Sequence, residues 1–212
     1  YAYEVYNKME IDLDELNDKF KDRKIFKPFK FVFNNIDSVS EEKPFLPFFM
    51  SEVASEYHYR KNPLDKREII KGSKISGVNN VSISQLLGNM YVNFDIYEEW
   101  INLMNRQFIS PISSIGLATY RYYIVDSAEI DKTKCYKLQF MPRRKGELTF
   151  EGDMWIADSA FALKQISMKM SKDADVNFVR KIFLYNEFEN VKDSVWMLRK
   201  ERMVVNFIKP KN

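Results

Sequence analysis

Length, composition and charge exclude several classes of protein. The chain has 212 residues, of which 45% are hydrophobic and 30% charged, a balance typical of a folded domain rather than a disordered segment. Its 33 basic and 30 acidic side chains leave a net charge of only +3, so the clustered basic face that binds nucleic acid is not expected. Apolar runs are only a few residues long, too short for a helix that crosses a bilayer.

Alternating side chains predict strands in the first third of the chain. Residues 1–13 fit a first strand, and a strand pattern that starts at the first residue predicts a piece of a longer protein. Residues 14–24 fit a short helix or a loop, while phenylalanines at positions 29, 31 and 33 fit a short strand before a loop at 34–47. Residues 48–60 and 66–75 flank the turn signal Asn62-Pro63 and predict a long antiparallel pair.

A helical spacing predicts an insertion at residues 83–104. Its apolar side chains recur three and four positions apart, as they do on one face of a helix. Ser82 with Gln85 forms a capping box, and Asp95 with Glu98 gives a second start signal. We therefore expect two helices in series that bend near Asn93.

From residue 120 onward the period changes to two. Six antiparallel strands with short polar connections are predicted at residues 120–126, 134–141, 147–156, 160–171, 178–188 and 195–207. In the fourth strand the apolar phase slips between Leu163 and Ile166, which predicts a β-bulge. The expected fold is α+β: a mostly antiparallel curved sheet, an incomplete barrel with the helical insertion on its concave face, with a sandwich as the alternative. No linker divides the chain, so one domain over residues 1–212 is expected.

Catalytic and metal chemistry find little support in the residue inventory. The single histidine, His58, is interpreted as a surface or hydrogen-bonded residue, and the single cysteine, Cys135, as a buried structural thiol. One histidine and one cysteine cannot build a usual zinc site. Glu151 and Asp153 share a strand face, which is typical of the wet side of a sheet. We expect no enzyme activity, no metal and no cofactor.

Two polar turns allow a functional and a structural interpretation. Asp173-Ala174-Asp175 resembles a fragment of a calcium loop, but the rest of that pattern is missing and a turn of solvated carboxylates is favoured. The basic turn at residues 142–146 could contact anionic lipid headgroups or an acidic partner, although a solvated hairpin tip is favoured.

The aromatic and methionine inventory raises the question of a cavity. The chain contains 17 Phe, 12 Tyr and 10 Met. A curved sheet lined with such residues could hold an acyl chain, but the same residues also fit a filled core. The candidate lining residues are Met90, Phe94, Trp100, Met104, Phe150, Met154 and Met168.

Several segments resemble a family of unknown function in Bacteroides-type bacteria, over nearly the whole chain from residue 3 to 207. They are FFMSE at 48–52, YHYRKNP at 57–63, KISGVNN at 74–80, SPIS at 110–113 and GELTFEGDMWI at 146–156. The resemblance implies a signal peptide and a carboxypeptidase-regulatory-like sandwich before this domain and an outer-membrane barrel after it. It therefore implies a periplasmic location tethered to the outer membrane, and it implies no catalytic residue.

The last strands more loosely resemble the strand–Asp–strand pattern of LolA-like lipoprotein carriers, at residues 150–156, 158–163 and 196–198. That resemblance implies an incomplete barrel whose helices cover a lipid-binding cavity. The prediction is therefore a non-enzymatic periplasmic domain that binds a lipid or another hydrophobic partner beside the flanking domains of its parent protein. The alternatives are a docking module that positions the adjacent barrel without a ligand and, as a remote third, a hydrolase.

Overall fold

The computed structural model describes residues 2–13, 46–60, 65–77, 94–176, 179–192 and 195–207. Within these ranges no helix is long and apolar enough to cross a membrane. The predictions for residues 14–45, for Asn62-Pro63 and for residues 83–93, Met90 included, fall outside the described residues. The elements in chain order are β1 (Ala2–Leu13), β2 (Leu46–Arg60), β3 (Asp65–Gly77), β4 (Trp100–Leu103), β5 (Arg106–Ile109), α1 (Gly116–Thr119), β6 (Tyr120–Ile130), β7 (Thr133–Pro142), β8 (Phe150–Ala157), β9 (Leu163–Met170), β10 (Val179–Lys192) and β11 (Val195–Phe207).

Nine of the strands form one open mixed sheet in the order β3-β2-β1-β11-β10-β9-β8-β7-β6. Strands β1–β3 and β6–β11 are two antiparallel meanders, which confirms the mostly antiparallel prediction. The meanders are joined by parallel pairing of β1 with β11, from Tyr6 beside Lys200 to Leu13 beside Phe207. The sequence did not predict this junction, because alternation fixes the face that a side chain takes but not the neighbour or direction of its strand.

Strands β4 and β5 form a hairpin where the sequence predicted the second helix. Strand β4 buries Ile101 and Leu103 and exposes the residues that alternate with them, so its period is two. Met104 and Asn105 have φ values of 51° and 57°, the left-handed pair that a two-residue hairpin turn requires and that asparagine favours. The helix prediction is wrong for this part of residues 83–104, because a run this short fits both periods.

The hairpin packs on one face of the large sheet, which we call the inner face. Phe108 of β5 stacks on Phe150 of β8, with ring centroids 4.8 Å apart. Burying each such large apolar side chain contributes about 1.5–3 kcal/mol. The core on this face also contains Met9, Phe140, Met154, Met168, Ile182, Leu184 and Val205. The described part of the predicted insertion therefore does pack on the apolar face of the sheet, although as strands.

The β-bulge predicted in the fourth strand of the second meander is confirmed. Strands β8 and β9 change register beside Ile156, so that Lys164 is the extra residue between Leu163 and Gln165. Lys164 is buried, and its Nζ lies 2.9 Å from Oδ2 of Asp131 in the β6–β7 turn. The bulge keeps the apolar residues on both sides of it on the inner face, and the ion pair supplies the counter-charge that a buried ammonium needs.

Tyr120 ties the hairpin to the sheet through its hydroxyl. This fully buried side chain donates to the carbonyl oxygen of Ile109 over 2.5 Å and accepts from the backbone nitrogen of Phe150 over 3.1 Å. Tyr120→Phe is expected to lower the free energy of unfolding by about 2 kcal/mol, because it leaves both buried backbone groups without a partner. Urea unfolding measures the loss. Tyr123→Phe on the same strand, at a site that is 47% exposed, is the matched control, and equal losses in the two variants would contradict the assignment.

Candidate functional site

A groove of about 620 Å³ lies on the inner face, open to solvent, between the two meanders and the segment that precedes β4. Strands β1–β3 form one wall, and strands β10 and β11 form the other. The aromatic and aliphatic residues that line it are Tyr3, Tyr57, Tyr59, Phe94, Ile96, Tyr97, Phe188, Trp196, Met197 and Leu198, and the polar ones are His58, Arg67, Glu68, Asp95 and Asn186.

The groove lies where β1 and β11 separate. Their parallel pairing begins at Tyr6 and Lys200, whereas β1 already pairs with β2 from Ala2. The first residues of β1 and of β11 are therefore not paired with each other, and a second cavity of about 540 Å³ lies there. Tyr3 and Leu198 line both cavities, so the opening between the strands adjoins the groove.

Aromatic pairs build both walls of the groove. Tyr3 and Tyr57 stack with ring centroids 5.7 Å apart and an interplanar angle of 17°. On the other side, the edge of one ring meets the face of the other between Tyr97 and Phe188, at 5.7 Å and 79°. Asp95 Oδ1 accepts from the backbone nitrogen of Tyr97 over 2.9 Å, which fixes the turn that carries this ring. Such pairs give a rigid apolar surface with polar edges.

The carboxylate of Glu68 is already satisfied within the first wall. Ser55 Oγ donates to Glu68 Oε1 over 2.6 Å. Tyr57 stands opposite Glu68 in the β2–β3 register. Burial raises the pKa of Tyr57, and the hydrogen bond and negative charge of Glu68 raise it further. Glu68 therefore acts as an acceptor for two hydroxyl groups of its own wall.

Three polar side chains occupy one row across the strands at the point where β1 and β11 join. Asn186 of β10 pairs in register with Glu201 of β11, which pairs in register with Asn7 of β1. Ile166 and Val53 continue the row on the neighbouring strands. We call these three residues the polar row. It interrupts a mostly apolar inner face, so the stability of the row depends on its hydrogen bonds.

The polar row is short of hydrogen-bond donors. Asn186 Nδ2 donates to Glu201 Oε2 over 3.3 Å. The Oδ1 atoms of Asn186 and Asn7 are buried and have no partner among the described residues. Burial raises the pKa of the Glu201 carboxyl to about 7, the charge of Asp95 raises it as well, and the Asn186 hydrogen bond opposes this shift. The row therefore offers acceptors in a place that water reaches poorly.

A model of the family of unknown function DUF5686 matches residues 1–209. The chain belongs to the DUF5686 family. This match confirms the resemblance to a family of unknown function, while the flanking regions that the resemblance implied stay a prediction. No curated protein matches the DUF5686 chain.

A crystal structure described as an outer membrane lipoprotein-sorting protein domain from Vibrio parahaemolyticus is similar to the DUF5686 chain. The identity is 10% and the TM-score 0.33, and the similarity covers 76% of this chain and 59% of that one. The DUF5686 chain thus spans less than two thirds of that structure. At this TM-score the likeness supports no transfer of function.

The structure separates the predicted cavity residues of the DUF5686 chain. Phe94 is buried and also lines the groove. Trp100 and Met104 lie at the β4–β5 hairpin, where they line a different surface cavity of about 680 Å³. Contact of these residues with a ligand stays a prediction, as it does for Met90, outside the described residues. The others are fully or almost fully buried in the core: Phe150, Met154 and Met168.

Sequence reasoning missed the polar row. Asn186 stands among buried Leu184 and Phe188 at core positions of β10, and Glu201 precedes the buried Met203 at the same phase of β11. A polar residue at a core position of an alternating strand is the signal that could have found them. Asn7 gives the same signal on β1.

The histidine and the cysteine have the structural roles that the sequence predicted. His58 Nε2 lies 3.0 Å from Glu56 Oε1, so the histidine is paired at the surface of β2. Cys135 is fully buried on β7, and burial raises the pKa of its thiol. Five strands of the sheet lie between β2, which carries His58, and β7, which carries Cys135. The two residues are therefore far apart across the sheet.

The acidic pairs are ion-paired or exposed. Glu151 lies 3.2 Å from Lys169, and Asp153 lies 3.7 Å from Lys137, each across neighbouring strands. The turn at residues 173–175 exposes both of its carboxylates. In the described part of the chain no three His, Cys, Asp or Glu side chains are grouped to hold a metal ion.

The basic turn after β7 is partly tied to the protein. Arg143 Nε donates to the carbonyl oxygen of Tyr120 over 2.8 Å, and Arg144 Nη1 lies 3.6 Å from Glu147 Oε1. Gly146 has a φ of 78°, which suits glycine and closes the turn. The turn is exposed at residues 143–146, as a hairpin tip would be.

Proposed function

We propose that this chain is a binding module that takes an amphipathic ligand into the groove between its two meanders. The observation that carries this proposal is the groove itself, about 620 Å³ with aromatic walls and a polar end. Ligand sites typically have volumes of roughly 300–1,000 Å³, mostly apolar walls and a few placed polar groups. A chain of alkyl carbons fits the aromatic walls, and a polar head fits beside Asn186, where the polar row reaches the groove.

The exposure of the groove's rim supports a ligand over a filled core. Tyr97 is 54% exposed although its ring contacts Phe188, and Trp196 and Leu198 are only partly buried. Aromatic rings left at the rim of an open groove gain when an apolar chain displaces water from them. Binding rather than catalysis is the proposed activity, because His58 and Cys135 lie on strands at opposite parts of the sheet order.

The proposed place of action is the periplasmic side of the cell envelope, next to the outer membrane. Its support is the resemblance of segments such as residues 57–63 and 146–156 to proteins with an export signal and an outer-membrane region. A ligand with an alkyl chain and a polar head would be available there. Secretion and fractionation of the parent protein, detected with an antibody to this domain, would test the location.

The test of ligand binding uses the neutral fluorescent probe N-phenyl-1-naphthylamine. The probe is expected to brighten in the purified chain and to be displaced by decanol, because both would occupy the aromatic walls. Tyr97→Ala is expected to weaken probe binding about fivefold, since it removes one wall ring worth about 1 kcal/mol of contact. Tyr123→Ala, an exposed aromatic on β6, is the control and should bind as the unchanged chain does. No brightening, or no displacement by decanol, would remove the proposal.

A docking module is the second candidate, and one observation favours it. Edge strand β6 pairs only with β7 among the described residues. It exposes Tyr123, Ile124 and Val125, with Val125 as the extra residue of a bulge. An exposed apolar edge is a usual place for another chain to pair, although bulges protect against it. This candidate would be favoured if the purified chain associates with the flanking regions of the parent protein but does not bind N-phenyl-1-naphthylamine.

A further inference from the structure

The polar row reaches the groove through Asn186, which lines it, and Glu201 lies behind Asn186 as its hydrogen-bond partner. Asn186 lines the groove, is only 1% exposed, and belongs to the row that includes Glu201 and Asn7. Because β1 and β11 begin to pair at Tyr6 and Lys200, the row stands one position inside the point where the strands separate. A ligand in the groove therefore meets the row at Asn186, next to the Glu201 carboxyl.

The chemistry of the row calls for a ligand with several hydrogen-bond donors. The Oδ1 atoms of Asn186 and Asn7 have no partner among the described residues, and the carboxyl group between them receives one hydrogen bond from Asn186. Leaving a buried acceptor unpaired costs about 1–3 kcal/mol. A primary ammonium carries three N–H donors and no acceptor, so it can donate to Asn186 Oδ1 and to the neighbouring Glu201 carboxyl together.

The register then orders the rest of the groove along the two strands. Two positions beyond Asn186 on β10 stands Phe188, which pairs with Leu198 on β11. Trp196 pairs with Asn190 two positions further along. Residues two apart on a strand are separated by about 6.6 Å. From Asn186, the surface of the groove formed by β10 and β11 therefore continues over apolar side chains for about the length of a ten-carbon chain.

Charge in the groove also favours a cation. Asp95 faces Glu201 from the segment before β4, and Tyr57 faces it from β2, while β10 and β1 present the uncharged amides of Asn186 and Asn7. Among the described residues that line the groove, the carboxylates of Glu68 and Asp95 outnumber the single guanidinium of Arg67.

We propose that Asn186 and Glu201 of the polar row bind the ammonium group of an amphipathic primary amine whose alkyl chain lies along Phe188 and Leu198. This inference rests on the proposed function and names the ligand class of the same groove. Burial keeps Glu201 largely protonated below neutral pH. An ammonium at hydrogen-bond distance favours the carboxylate, so the carboxyl proton leaves to solvent when the amine binds.

Calorimetry with decylammonium, decyltrimethylammonium and decanol tests this inference on the whole chain, with both amines below their micelle concentrations and decanol below its solubility limit. Decylammonium is expected to bind at least about tenfold more tightly than decyltrimethylammonium, which carries the same charge and chain but no N–H donor. At pH 6, titrations in two buffers of different ionisation enthalpy are expected to show release of close to one proton per decylammonium, because the pKa of free Glu201 is about 7.

Variants locate the effect. Asn186→Leu and Glu201→Gln are expected to lower the affinity for decylammonium about tenfold and to leave that for decanol unchanged, and Glu201→Gln to abolish the proton release. Asn102→Leu, at an exposed position of β4, is the control and should change neither the affinities nor the proton release.

The outcomes separate the two proposals. Binding of decanol and both amines with equal affinity and no proton release would overturn the ammonium site while leaving the groove as a binding site. Binding of none of the three would remove the proposed function and the inference together. If a variant fails to fold, the affinity ratio of the two amines and the number of protons released by the unchanged chain still test the ammonium site.

Discussion

Gly152→Ala is expected to lower the free energy of unfolding by at least about 4 kcal/mol, a large share of the roughly 5–15 kcal/mol that stabilises a typical domain. A β-carbon on Gly152 would lie 2.1 Å from the carbonyl oxygen of Ser167 and 2.8 Å from the Cα of Met168. Both are backbone atoms of β9, which pairs with β8 at this position. No rotamer change can relieve such an overlap, so the two strands would have to separate.

The location of the clash increases its effect. Phe150 and Met154 lie two positions to either side of Gly152 on β8 and are buried in the core, so moving the strand would disturb their packing. A glycine in the interior of a strand commonly marks such a close approach of two backbones.

Gly72→Ala on β3 is the matched control for this prediction. A β-carbon there meets nothing within 4 Å, so the change should alter stability by no more than about 0.5 kcal/mol. Urea unfolding followed by circular dichroism measures both variants. A Gly152→Ala chain as stable as the Gly72→Ala chain would show that β8 and β9 do not approach each other as described.

Glu201→Gln is expected to stabilise the fold at pH 8 and to change little at pH 4. Burial raises the pKa of this carboxyl from 4.5 to about 7. Between pH 4.5 and about 7, Glu201 is therefore protonated in the folded chain and ionised in the unfolded chain. Stability then falls as the pH rises from about 4.5 to about 7, and the loss, about 3 kcal/mol, persists above that range. Glutamine stays neutral and avoids the loss.

Urea unfolding of both chains at pH 4 and pH 8 tests this sign. Other titrating groups are common to both chains, so the difference between the chains isolates position 201. Glu129→Gln, which removes an exposed carboxylate of β6, is the control for the loss of one negative charge. Should the unchanged and Glu201→Gln chains keep the same stability difference at both pH values, the carboxyl cannot be buried in the row as described.

Most strands of this fold could be predicted from the sequence because they bury one face. Alternation located β1 and β11 almost to the residue, and the phase slip beside Lys164 correctly located a bulge. The hairpin of β4 and β5 was mistaken for a helix, because Met104 and Asn105 give a turn signal weaker than the usual Asn-Gly pair. Local pattern therefore predicted the elements wherever a run was long enough for only one period to fit.

The candidate site could not be predicted in the same way. Asn7, Asn186 and Glu201 are far apart in the chain, and only the parallel register of β1 on β11 places them in one row. Composition drew attention instead to methionines and phenylalanines, and Met154 and Met168 are core residues. Each polar residue of the row was visible as a break in an alternating pattern, but their adjacency depends on a pairing that no local signal encodes.

The parallel contact between β1 and β11 also constrains how the domain is made. Among the described strands the ribosome makes β1 first and β11 last. The edge of β1 that pairs with β11 therefore has no native partner until β11 is made. Pairings between such distant segments close slowly, and unpaired edges attract other chains meanwhile. The sheet can therefore be completed only after β11 has left the ribosome, and chaperones that shield exposed strands would act on the first meander.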